Sequence, residues 1–144
     1  MSSATLPRQI ADLPATSALI SAAPVLGRLL LAGIFLLSGF SKVAAPTVTI
    51  GYIQSVGLPL AEVAYGLAVA TEILGGLALV VGFQTRLVAL ALASFTIATA
   101  LTFHNDLSDQ NQFIHFFKNI AMAGGLLQVV AFGAGSFSLD NRHR

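Results

Sequence analysis

The feature that most constrains this chain is residues 65–82, an apolar run with a single carboxylate, Glu72, near its middle. A run of about 20 mostly apolar residues, rising about 1.5 Å each, crosses a ~30 Å hydrocarbon core as a helix. A carboxylate at that depth costs roughly 2.5–3.5 kcal/mol on insertion scales. It must therefore face protein or water, pair with a cation, or carry a proton. Placing Glu72 is the central problem.

Composition agrees with a membrane setting. Only 9% of the 144 residues are charged, against about 25% in soluble domains. The length suits one domain. A net charge of +1 offers no basic surface for nucleic acid. The absence of cysteine removes disulfides, thiolate metal sites, iron–sulfur ligation and Cys-x-x-Cys redox chemistry. Without tryptophan, any interfacial aromatic belt falls to Tyr52, Tyr65 and the phenylalanines.

Taken in order, residues 1–23 read as a flexible Ser/Ala/Thr-rich tail. Ser21-Ala22-Ala23 resembles a signal-peptidase site, but no compact apolar core with a basic flank precedes it. Pro24 suits a helix start, and the first span is expected at 25–44. Arg28 and Lys42, near its opposite ends, are placed to snorkel toward headgroups. They also share one face with Phe35 and Ser38.

Residues 45–59 form the connection, with a short helix opened by Pro46, running to about Ser55 and closed by Gly57. It is expected on the membrane surface, the alternative being a re-entrant dip. The second span, 60–81, sets Tyr65, Glu72 and Gly76 on one face. The third covers 87–103, and its threonines are of the kind that bond back one turn. A polar loop at 104–112 precedes the fourth span, 113–132, and 136–144 reads as a polar tail.

Four spans with short links predict an all-α membrane protein, an antiparallel up-down bundle with a short surface helix between spans 1 and 2. Residues 24–135 make up that membrane domain. One side collects Arg8, Arg28, Arg86, Arg142 and Arg144, the other Lys42 and Lys118 with Asp106 and Asp109. The excess of arginine puts both termini in the cytoplasm.

The pattern resembles the DoxX family of small four-helix membrane proteins. The residues that carry it are Gly27-Arg28, Phe35, Gly39 and Lys42, then Gly57-Leu58-Pro59. Glu72-Ile73-Leu74-Gly75-Gly76, Gly82, Thr85-Arg86, Lys118-Asn119, Gly124-Gly125 and Ser138-Leu139-Asp140 continue it, covering about 24–140. The resemblance implies a bacterial inner-membrane location and no single activity. Some DoxX-like and DoxD-like members are associated with redox complexes, including thiosulfate:quinone oxidoreductases.

Glu72 is the leading site candidate, with Arg28, Lys42, Lys118, Asn119 and His115 as partners to choose among. It serves either as a functional polar centre, as half of a structural ion pair, or as an unpaired protonated acid. His115, Lys118 and Met122 form a stripe on the fourth span with Asn119 beside it. That stripe reads as a pocket for a quinone headgroup or small anion, or as a hydrated helix end. His104 and His115 are the only pair to consider for haem, and lie near one membrane edge. No Ser-His-Asp set, phosphate loop or carboxylate-rich metal cluster is present.

The leading functional expectation is an accessory or scaffold subunit, without catalysis of its own, docked to a redox or quinone-linked complex in the lipid bilayer. The alternative is a small proton-coupled transporter using Glu72. A third reading makes the Glu72/Lys118/His115 region a quinone site of an enzyme in its own right. Gly75-Gly76 and Gly124-Gly125 suit packing within one bundle or between copies of a homo-oligomer.

Overall fold

A computed structural model describes residues 14–142. Six helices follow in order: α1 Pro14–Ala44, α2 Pro46–Ser55, α3 Ala61–Val81, α4 Thr85–Phe103, α5 Gln110–Phe132 and α6 Leu139–Arg142. No strand occurs among the described residues. Four helices are long and apolar enough to cross a membrane: Ala18–Ala44 within α1, and all of α3, α4 and α5. This is the expected four-span bundle, with α2 as the short helix between the first and second spans.

The spans associate in two close pairs, α1 with α3 and α4 with α5, joined more loosely through α3–α4 and α1–α5. Small residues set the first pairing. A Cβ added at Gly39 would lie 2.7 Å from Ile73 Cγ1, and one at Gly76 would lie 2.8 Å from Leu36. Gly75 meets Leu92 of α4 in the same way, so Gly75 and Gly76 are used inside this bundle. The core is slight: Ala32 and Phe35, Leu79, Ala89, Leu92 and Ala93, Ala123 and Leu126. Large apolar side chains such as Leu30, Leu37, Leu74, Leu87 and Phe132 point outward instead. In water that shell would be an aggregation surface; against lipid tails it is the solvated face.

Three boundaries differ from those read in the sequence, each for a local reason. The first helix begins at Pro14 and runs through Pro24, so 14–23 of the expected tail is helical, while 1–13 lie outside the described residues. Proline inside a helix loses one donor, a loss membrane helices tolerate where neighbours compensate. Here the Pro24 ring packs where a Cβ on Gly135 would stand 2.8 Å away. The fourth span starts at Gln110, because Asp109 caps it by accepting from the Gln112 N–H at 2.8 Å. The expected C-terminal tail contains α6, nucleated as Ser138 Oγ accepts from the Asn141 N–H at 3.2 Å.

Candidate functional site

Two polar clusters occupy opposite ends of the bundle, each built around a cation from α1. At one end Ser38 and Lys42, one turn apart, face Glu72 of α3. Lys42 Nζ donates to Glu72 Oε1 and Oε2, both at 2.8 Å, and to Ser38 Oγ at 2.7 Å. Ser38 Oγ donates in turn to Glu72 Oε1 at 3.1 Å. Tyr65 OH donates to the Lys42 carbonyl at 3.3 Å. Glu72 is only 5% exposed. Of the five partners considered for it, the structure selects Lys42, and Lys42 therefore does not snorkel to a headgroup.

This ion pair lines a cleft of about 670 Å³ between the two helix pairs. Its apolar walls include Ile34, Phe35, Leu67, Phe95 and Met122. Across from Glu72 lie Thr96 and Thr99 of α4, and His115, Lys118 and Asn119 of α5. Thr96 bonds back to the Leu92 carbonyl at 2.7 Å, as expected for a threonine in such a helix. Helix α2 forms a further wall with Val48, Thr49, Tyr52 and Ile53. Tyr52 OH donates to the Phe103 carbonyl at 3.0 Å, tying α2 to the end of α4.

Lys118 Nζ is 2.8 Å from His115 Nδ1, and the His115 ring stacks on His104 with centroids 5.1 Å apart. Stacked in this way, the two rings leave no room between them for a haem macrocycle. Burial, and then the charges of His115 and Lys118, hold His104 below the ordinary histidine range, with Gln112 pulling the other way. Among the described residues no group of three or more His, Asp or Glu side chains converges as a metal site.

At the other end the cation is enclosed, and a second cavity of about 660 Å³ lies beside it, lined by Thr85, Arg86, Ser138 and Asp140 among others. Arg28, 2% exposed, donates from Nη1 to the Ala134 carbonyl at 2.8 Å and from Nη2 to the Phe137 carbonyl at 2.9 Å. A longer contact of 3.4 Å reaches the Val80 carbonyl. Arg28 was expected to snorkel or to serve Glu72. It does neither, because the C-terminal segment folds back and offers it carbonyls first. Asp140 completes this end, accepting from the Gln84 and Thr85 N–H groups at 2.7 and 2.8 Å. A carboxylate there satisfies the orphan donors at the start of α4. Sequence reasoning missed Asp140 as a structural residue. The cue was Ser138, a helix-capping residue type just ahead of it.

Four membrane-length helices around a partly buried Lys–Glu pair and a cleft define a multi-pass helical membrane protein. The chain belongs to the DoxX family, whose profile matches residues 23–105. It is 33% identical over 116 residues to Inner membrane protein YqjF of Escherichia coli (strain K12), covering 81% of this chain and 88% of that protein. It is 34% identical over 131 residues to Inner membrane protein YphA of the same strain, covering 85% of this chain and 93% of that protein. No solved structure matches. The four apolar helices and these relatives make it an integral inner-membrane protein.

Proposed function

We propose that this protein is an accessory subunit of an inner-membrane redox complex, and that its cleft receives the headgroup of a lipid-soluble quinone. The observation that carries the reading is the amphiphilic cleft. Apolar walls lead between two helix pairs to a floor of Lys42–Glu72 and a facing row of Asn119, Lys118 and His115. Its size falls within the roughly 300–1,000 Å³ typical of small-molecule sites. A ring with polar edges and an isoprenoid tail fits that division of chemistry. The Lys42–Glu72 pair is already saturated by its own contacts, which favours a binding role over catalysis. On this reading the arginine-rich end faces the cytoplasm, and the Lys42–Glu72 cluster lies toward the opposite face.

Purification in mild detergent tests this, with mass spectrometry of copurifying proteins, lipid extraction and an absorption spectrum. A stoichiometric oxidoreductase together with bound quinone supports it. A colourless, partnerless, quinone-free protein contradicts it.

One observation favours a second reading, proton-coupled transport: Glu72, almost fully buried, still borders the cleft. On that reading Glu72→Gln abolishes vesicle transport while the fold persists. Transport retained in that variant removes it.

A further inference from the structure

Charges across the cleft are not balanced. Lys42 is answered by Glu72. Lys118, on the facing helix, has no carboxylate partner among the described residues, and its contact is the His115 ring. In that contact Lys118, which has no acceptor, is the donor. Lys118 then retains two further N–H donors.

The nearest acids are engaged elsewhere. Asp106 accepts from the Ser108 hydroxyl and N–H, and Asp109 caps α5 on the Gln112 N–H. The charges that act on His104 come from His115 and Lys118, with no carboxylate among them. Asn119, 9% exposed and lining the same wall, makes no side-chain hydrogen bond to the rest of the described protein. An exposed cation with spare donors, an amide without a protein partner and a histidine therefore line one wall.

We infer that the cleft selects an ionised ligand: a quinone-like ring bearing an acidic hydroxyl, whose oxyanion pairs with Lys118 beside His115 and Asn119. This rests on the quinone reading above and adds the charge of the headgroup to it. An oxyanion takes charge-assisted hydrogen bonds, about twice as strong as neutral ones, and neutralises a cation that a neutral quinone leaves unanswered.

The test uses purified protein in lipid nanodiscs and two probes titrated calorimetrically. One is an alkyl hydroxynaphthoquinone, ionised at neutral pH; the other is its methyl ether, which cannot ionise. The hydroxy compound is expected to bind about tenfold tighter, in line with one charge-assisted hydrogen bond. Lys118→Met should abolish that preference, bringing the hydroxy compound to the affinity of the ether in the same variant, while Lys118→Arg keeps it. Melting curves and gel filtration of each variant establish that it is folded. Equal affinities in the unmodified protein, or a preference that survives Lys118→Met, overturn the inference while leaving the quinone reading standing. Failure of both probes to bind overturns the two together.

Discussion

The two ends of the bundle make different use of the same raw material. Each draws a long cationic side chain from α1 into the protein, Arg28 at one end and Lys42 at the other. Arg28 meets backbone carbonyls of the C-terminal segment and of α3, which enclose it and leave it outside the neighbouring cavity. Lys42 meets a carboxylate and a hydroxyl, and an open cleft remains in front of it. Guanidinium geometry explains the first. Its planar fork of five donors can bind several carbonyls at once, whereas an ammonium acts as a compact point charge. The lesson is that a buried cation in a membrane helix does not by itself mark a functional site. What distinguishes the two ends is whether the partners enclose the cation or leave it bordering a cavity.

The largest effect should follow from breaking the Arg28 cluster. Arg28→Met strands the buried carbonyl of Ala134, at about 1–3 kcal/mol for a buried acceptor left unpaired, and also removes the part-buried contact to Phe137. The expected outcome is loss of a monodisperse peak in detergent, with only partial recovery in Arg28→Lys. A normal melting profile for Arg28→Met would erase the contrast between the two ends.

At the cleft, Lys42→Met should cost about 2–3 kcal/mol, less than a fully buried pair because Lys42 keeps 25% exposure. Adding Glu72→Gln should restore most of that loss. The double-mutant cycle is read from thermal unfolding, and additive losses would mean that the pair is not coupled.

Glycine sharpens the comparison on a smaller scale. Gly82 has φ +69, and a Cβ there would collide with Arg28 Nη1 and Ser138 Cβ. Gly82→Ala is expected to destabilise by about 1–3 kcal/mol, the cost of a left-handed conformation in a crowded site. Gly124→Ala, with nothing within 4 Å, should be close to neutral. Equal melting temperatures for the two variants would contradict the crowding around Gly82.

The smallest effect is on pH dependence. His104 is less basic folded than unfolded, so the unfolded chain binds the proton first. Stability should therefore fall as pH drops below the ordinary histidine value of about 6.5, levelling off once the lower folded-state value is passed. His104→Asn should flatten that decline in melting temperature, and an unchanged slope would remove His104 as its source.

Much of this was legible in the sequence. Four apolar runs gave the spans, Pro46 and Gly57 the short helix, and the shared face of Ser38 and Lys42 one half of the ion pair. The choice of Lys42 over Lys118 or His115 for Glu72 was not legible, because it depends on the close α1–α3 approach at Gly39 and Gly76. Arg28 was misread for a similar reason. Snorkelling is the default for an arginine near a span end. Nothing local shows that residues 134–137 return to offer it carbonyls. Pro24 looked like a helix start because its packing against Gly135 is equally distant in sequence.

The most direct test fills the cleft. Ala68 of α3 lines it, and Ala68→Phe would place a ring in open space. Titration of a short-tailed quinone into nanodisc-embedded protein should show saturable binding that Ala68→Phe abolishes without lowering the melting temperature. Absence of saturable binding in the unmodified protein, or binding indifferent to the added ring, would contradict the assignment of the cleft as the functional site.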